Sequence, residues 1–287
     1  MTVWLIETEE LARMMEEEPT RNIVVLDCSW YLPEAGKHAI DDFRRGHIPD
    51  ARFVDLQDIS DPHSPYINML PSAEQFASVM GGLGVGNDTQ VIVYDSGYVS
   101  ARLWWMFRTF GHENVRILNG GFRKWKAEGR PVETGEAPAP VAREFKAVLQ
   151  PGRVASLEDV RNAIETGSPA IADARTAARF QGAEGSGYPG VASGAMPRAI
   201  NVPWANFFDP ANNYAFVSPE KAAEIFARSG VNTEGPLITT CGSGVTAALL
   251  GFMAERLGNR DWLLYDGSWH EWGQRPDTPK VILSPPP

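Results

Sequence analysis

"VIVYDSGYVSARLWWMFRTFG" (residues 91–111) and "LITTCGSGVTAALLGFMAERLG" (residues 237–258) lie about half a chain apart and read alike. Each is a short buried strand, a tight turn and an amphipathic helix closed near a glycine. Two further pairs keep nearly the same offset: "GHIPDARFVDL" (46–56) with "GAMPRAINVPW" (194–204), and "ILNGGFRKW" (117–125) with "LYDGSWHEW" (264–272). Three matches in one order with one offset indicate a duplicated domain, and two copies make a pseudo-dimer rather than a solenoid.

Length agrees, since 287 residues suggest two domains at roughly 150 residues each. Residues 133–152, "ETGEAPAPVAREFKAVLQPG", are rich in Pro, Ala and Gly without strong periodicity and read as a linker. The expected division is a first domain at 1–134, a linker at 135–152 and a second domain at 153–287. Within each copy apolar strands ("NIVVLDC", "PAIADAR") alternate with helices ("SAEQFASVMGGLG", "SPEKAAEIFARSG"). The fold class is therefore α/β, two tandem domains, each a mainly parallel sheet flanked by helices. Ligands in such sheets gather at the carboxyl ends of strands, where Asp95 and Cys241 sit.

A net charge of −10 disfavours binding to a nucleic-acid backbone but leaves room for a local basic pocket. No run is apolar enough to span a bilayer, and the acidic start "MTVWLIETEELARMMEEE" suits neither a signal nor a transit peptide. Two distant cysteines form neither a disulfide framework nor a metal cluster. The expectation is a cytoplasmic protein with no metal, cofactor, nucleic-acid or membrane partner.

The turn Cys241-Gly242-Ser243-Gly244-Val245-Thr246 carries the chemistry. Its glycines let successive N–H groups point inward as a nest, and the following helix adds its positive end. Such a site stabilises an anion without lysine, favours a thiolate and equally suits a persulfide, Cys–S–S⁻. Cys28, in "VLDCSWYLP", has no such turn and reads as a small buried hydrophobe. Asp95 holds the place of Cys241 in the first half and cannot carry sulfur, so that half reads as chemically silent.

"CGSGVTAA", "YDGSWHEWG", "LDCSWYLP", "GHIPDARFVDL", "SPYINMLP" and "WWMFRTFGH" resemble the two-domain rhodanese family, and within it the 3-mercaptopyruvate sulfurtransferases, over residues 23–272. The resemblance implies two rhodanese-like domains, the first inactive. It implies that Cys241 takes sulfur from 3-mercaptopyruvate as a persulfide, releasing pyruvate. Cyanide or a thiol, such as thioredoxin or a low-molecular-weight thiol, then accepts the sulfur. It further implies that backbone N–H groups from Gly242 through Ser243, Gly244 and Val245 to Thr246 hold the sulfur anion, that Ser243 assists proton relay, and that His47 joins that relay with an acid among Glu34, Asp41 and Asp42. Arg175 matches the family's arginine for a substrate carboxylate, with a salt bridge to Asp173 as its structural alternative; Arg179 is a weaker candidate.

Two departures stand out. Tyr188 occupies the place of a second family arginine, and "GAMPRA" carries Ala195 for histidine and Arg198 for glycine. Either Arg198, or Arg44 or Arg45, supplies the lost cation, or carboxylate affinity is weak, or the donor differs. The glycine-rich 182–194 stretch reads as a flap beside the site or an ordinary surface loop. Thiosulfate:cyanide sulfur transfer is the nearest rival, disfavoured by the neutral Gly242 and Ser243; a non-catalytic sulfur carrier is a third reading. A cysteine phosphatase is excluded because Ala247 and Ala248 stand where it needs arginine. "GGLGVG" (81–86) follows a helix and precedes a strand, the reverse of a dinucleotide fingerprint, and reads as a helix stop.

Overall fold

The computed structural model describes residues 4–17, 22–137 and 139–283. Contacts divide the chain into unit 1 (Met1–Pro62, Leu70–Gln150, Phe208–Phe216) and unit 2 (His63–Met69, Pro151–Phe207, Val217–Pro287).

Unit 1 runs β1 (Leu5–Ile6), α1 (Thr8–Glu17), β2 (Ile23–Asp27), α2 (Ala39–Arg45), β3 (Arg52–Phe53), α3 (Ala73–Gly82), β4 (Gln90–Tyr94), α4 (Ser100–Thr109), β5 (Val115–Leu118) and α5 (Gly121–Ala127). Unit 2 runs β6 (Val154–Ala155), α6 (Leu157–Thr166), β7 (Ala170–Asp173), α7 (Ala177–Gln181) and β8 (Ile200–Asn201). A short antiparallel pair, β9 (Phe208–Asp209) and β10 (Ala215–Phe216), belongs to unit 1. Unit 2 resumes with α8 (Pro219–Ser229), β11 (Leu237–Thr240), α9 (Val245–Arg256), β12 (Trp262–Tyr265) and α10 (Ser268–Trp272).

The sheets have strand orders β1-β5-β4-β2-β3 and β6-β12-β11-β7-β8. Every pairing within them is parallel, and the orders coincide once repeats are matched. Parallel central strands are covered on both faces, which explains the unbroken apolar run Val91–Val93. The register pairs Asp27 with Tyr94 and Asp173 with Thr240, so each aspartate ends beside the turn of its own repeat.

The helices after those turns are more buried than the expected amphipathic pattern. All ten residues of α4 are buried. Its two arginines are absorbed by aromatic faces, Arg102 over Trp105 at 4.6 Å and Arg108 over Trp4 at 4.1 Å. Helix α9 lies so close to β12 that a Cβ on Gly251 would run into the Trp262 ring. The "GGLGVG" stretch does end α3: Gly84 has φ 76° and the Val85 N–H donates to the Met80 carbonyl.

The units differ from the expected boundaries. The 135–152 stretch has little regular structure, yet through Gln150 it is fastened to unit 1. Arg143 reaches Asn22, Thr89 and Asp88, while buried Phe145 packs on Phe76 and Phe107. Phe216 N–H bonds Asn119 Oδ1 and Arg123 stacks over Tyr214, tying Phe208–Phe216 to unit 1. His63–Met69 joins unit 2 through contacts described next.

Candidate active site

Between β11 and α9 the chain must turn within Cys241–Gly244. Gly244 takes φ 78°, which an L side chain adopts only with strain. The first turn of α10 holds the carbonyl side of this loop. Trp269 N–H donates to the Cys241 carbonyl at 3.0 Å, and His270 N–H to that of Gly242 at 2.8 Å. Ser268 Oγ accepts from Cys241 N–H at 3.2 Å and donates to the Tyr265 carbonyl at 2.8 Å. Cys241 is 2% exposed.

The matching turn of unit 1 shows what such a loop holds. Asp95 turns its carboxylate back into the loop and accepts backbone N–H groups from Gly97 (2.8 Å), Val99 and Ser100 (2.5 Å). Aligned by the repeat, these donors correspond to Ser243, Val245 and Thr246, and the carboxylate to the side chain of Cys241. Burial raises the Asp95 carboxyl, while the Ser100, Gly97 and Val99 amides pull it down. The unit 1 turn is an anion receptor in geometry.

Ser243 Oγ, almost fully buried, accepts from Asn68 Nδ2 at 3.0 Å and from the Tyr188 hydroxyl at 3.1 Å. With both lone pairs engaged, its own proton must be given elsewhere. Tyr188 lies over the loop, its hydroxyl 2.9 Å from where a Gly242 Cβ would stand. The Tyr188 and Tyr66 rings meet the His270 imidazole edge-on at 5.0 and 6.2 Å. The Ile67 N–H approaches His270 Nδ1 at 3.4 Å, and burial lowers the pKa of this histidine. Asn68, Tyr188 and His270 are site residues that the motif reading did not name as such. The φ of 59° at Asn68 suits an asparagine, but nothing in its spacing points to Ser243. His270 had a signal: it aligns with Arg123, so the two repeats differ there.

Arg175 is buried and committed to Asp173, through Nε at 3.1 and 3.0 Å and Nη2 at 2.8 Å, with its guanidinium 4.4 Å over Trp269. Both readings of Arg175 therefore bear on it: the salt bridge exists, while Nη1 is buried with no hydrogen-bond partner among the described residues. Arg179 runs alongside Gly187, whose Cβ would stand 2.9 Å from Nη1.

Arg198 is not brought to the loop within unit 2. Arg198 extends toward Gly167 at the end of α6, near the amino end of β7, whereas Cys241 follows the carboxyl end of β11; the parallel register separates them by a strand length. Arg44 pairs with Asp41 and Glu136, and Arg45 with Asp42, so these charges are met locally in unit 1. His47 is buried in unit 1, stacked on Phe43 at 3.9 Å, with Nδ1 2.9 Å from the Phe43 carbonyl. The acid near its Nε2 is Glu133 at 3.8 Å, not Glu34, Asp41 or Asp42. Its backbone bridges Glu133 as Ala195 bridges Val281 in unit 2. Cys28 donates its thiol to the Tyr94 carbonyl at 3.3 Å, and burial pushes the thiol pKa well up. The 182–194 stretch is fastened rather than loose: Ser186 Oγ bonds the Tyr188 and Val191 carbonyls, and Trp269 Nε1 donates to the Ala192 carbonyl at 2.7 Å.

Comparisons with known proteins agree with this architecture. The family model for the rhodanese-like domain matches residues 7–128 and 156–275. Human 3-mercaptopyruvate sulfurtransferase is 40% identical over 263 residues, 90% of this chain and 87% of that protein. Thiosulfate sulfurtransferase of Gallus gallus is 40% identical over 255 residues, 88% of this chain and 86% of that one. The crystal structure of SseA from Escherichia coli, a 3-mercaptopyruvate sulfotransferase by its description, superposes with a TM-score of 0.83 at 36% identity, covering 93% of this chain and 99% of that one. Two matched sheets, two matched turns and two matched family segments lead to one conclusion: this chain belongs to the rhodanese family, with two rhodanese-like domains in tandem.

Proposed function

We propose that this chain is a sulfurtransferase that moves sulfur from 3-mercaptopyruvate through a Cys241 persulfide to a thiol or cyanide. The observation that carries the reading is the Asp95 carboxylate of unit 1. Its carboxylate fills the turn and accepts backbone N–H groups that align, by the repeat, with those of Ser243, Val245 and Thr246. A persulfide has the charge and reach to take that place.

In this reading the Cys241 thiolate attacks the donor's sulfur. An S–S bond forms, the C–S bond breaks, and its electron pair leaves as the enolate of pyruvate. The thiol proton of the transferred sulfur ends on the enolate carbon, leaving pyruvate and Cys241–S–S⁻. An acceptor thiolate then takes the outer sulfur and regenerates the Cys241 thiolate. Ser243, oriented by Asn68 and Tyr188, gives its hydroxyl proton as a hydrogen bond to the donor's keto oxygen. Arg175 Nη1 receives the donor carboxylate, while Asp173 holds the rest of the guanidinium. His47, Arg179 and Arg198 are assigned no step.

Thiosulfate is the second reading, because the thiosulfate sulfurtransferase of Gallus gallus matches this chain as well as the human mercaptopyruvate enzyme does. The uncharged Gly242 and Ser243 favour the keto acid over a dianion. The acceptor class is a small thiol or a thioredoxin-like dithiol. Two free thiols fit a reducing compartment such as the cytoplasm, and among the described residues no helix is long and apolar enough to cross a membrane.

The test is intact-mass spectrometry after donor treatment without acceptor. Wild type gains one sulfur from 3-mercaptopyruvate and Cys241→Ser gains none. An equal adduct on Cys241→Ser moves the chemistry to Cys28 and ends this reading; faster turnover on thiosulfate selects the second one.

A further inference from the structure

Unit 1 contains a cavity of about 370 Å³, lined by Asp27, Ser29, Tyr31, Phe122, Arg123 and Lys126 among others. Its floor is the carboxyl end of β2, where parallel sheets collect ligands, and its size falls within the range of small-molecule sites.

The duplication explains why the space is there. Asp27-Cys28-Ser29 aligns with Asp173-Ala174-Arg175. Each aspartate accepts the backbone N–H two residues on, at 2.8 Å in unit 1 and 2.9 Å in unit 2. Phe122 likewise aligns with Trp269. In unit 2 the aspartate is neutralised by the guanidinium of Arg175, which lies over Trp269. In unit 1 a serine replaces that arginine, and its hydroxyl turns to accept Ser96 N–H at 3.0 Å. The place that a guanidinium fills in unit 2 is left open.

Asp27 is 2% exposed and has no ion pair among the described residues. Neutral donors, Ser29 and Tyr94, are what it keeps, and burial raises its carboxyl to about 6. A buried carboxylate without a counter-charge is costly, and a bound cation would relieve that cost. The lining of the same cavity also includes Arg123 and Lys126, both exposed on α5. Arg123 rests on the Tyr214 ring at 4.0 Å and Lys126 on Phe122 at 4.7 Å, and neither has an ion pair among the described residues. Arg45, by contrast, is paired with Asp42. A simple anion would meet Asp27, and a simple cation would meet Arg123 and Lys126. A molecule with both charges satisfies both ends.

We propose that this cavity binds a small zwitterion of the amino-acid class, its guanidinium or ammonium group on Asp27 and its carboxylate on Arg123 and Lys126. This proposal does not depend on the sulfur chemistry assigned to Cys241.

The experiment is calorimetric titration of the full chain with L-arginine. Wild type should bind one equivalent saturably. Asp27→Asn should weaken binding by at least about tenfold, the loss expected for one charge-assisted contact. Ser29→Arg, which supplies the guanidinium from the chain as unit 2 does, should abolish it. Arg123→Ala with Lys126→Ala should weaken L-arginine but not agmatine, which lacks the carboxylate. Absence of saturable binding to wild type overturns the proposal, as does unchanged affinity in Asp27→Asn. If Ser29→Arg does not fold by circular dichroism, the other two variants decide.

Discussion

Replacing Arg175 by lysine separates the two things this side chain does. The guanidinium holds Asp173 through Nε and Nη2, and leaves Nη1 buried without a hydrogen-bond partner among the described residues. Lysine keeps a positive charge for Asp173, which is 0% exposed, but it has no planar fork and no donor at the place of Nη1. The fold should therefore tolerate Arg175→Lys. Arg175→Ala, which strands a buried carboxylate, should cost about 3–5 kcal/mol in unit 2. Catalysis should respond differently. A single charge-assisted hydrogen bond to the donor carboxylate is worth about 1.5–3 kcal/mol, so kcat/KM for 3-mercaptopyruvate should fall roughly 10–150-fold in Arg175→Lys. The persulfide already on Cys241 should still discharge to cyanide at the wild-type rate. The assays are steady-state pyruvate release, single-turnover discharge and urea unfolding. Full kcat/KM in a folded Arg175→Lys protein would show that Nη1 does not bind the donor, and the carboxylate site would have to be sought elsewhere.

Tyr188→Phe removes one of the two hydrogen bonds into Ser243 Oγ, so kcat should drop about 2- to 10-fold with melting temperature nearly unchanged; equal rates would leave Tyr188 a packing residue. Asp27, raised from 3.8 to about 6, binds more protons folded than unfolded, so its favourable contribution is complete below pH 3.8 and is lost as pH rises through 6. Relative to Asp27→Asn, wild type should lose about 2.4 kcal/mol between pH 4 and pH 7, most of the roughly 3 kcal/mol that the whole shift is worth at about 1.36 kcal/mol per tenfold difference in proton affinity. Parallel stability curves from urea titrations would refute the assignment. Gly251→Ala forces a methyl into the Trp262 ring and should destabilise by about 1–3 kcal/mol in chemical denaturation, whereas a neutral result would mean that α9 moves away from β12 at little cost.

Much of this molecule is legible in one dimension, because its signals are local. Strand, turn and helix follow one another within about twenty residues around Asp95 and Cys241, so periodicity and glycine placement suffice to find both copies. A constant offset between repeats reveals the duplication without any contact being known. The cysteine-bearing turn is equally local: residues 241–246 and the start of the helix that follows form one short stretch. Burial all round α4 and α9 was not legible, since the residues that cover a helix come from elsewhere in the chain, such as Phe145 from the 135–152 stretch.

What the tertiary structure decided is the set of partners. Asn68 reaches Ser243 across 175 positions, and no spacing rule spans that distance. Tyr188 looked like a lost arginine; folded, it is a hydrogen-bond donor over the loop. Arg175 and Arg198 are both arginines flanking strands of one sheet, yet Arg175 follows the carboxyl end of β7 and Arg198 precedes the amino end of β8. In a parallel sheet those are opposite ends, and Cys241 follows the carboxyl end of β11. Local sequence sets which groups can bear charge, donate or attack. Which of them meet depends on strand register and on long-range closure, and those are settled only when the apolar faces of distant segments are buried against each other.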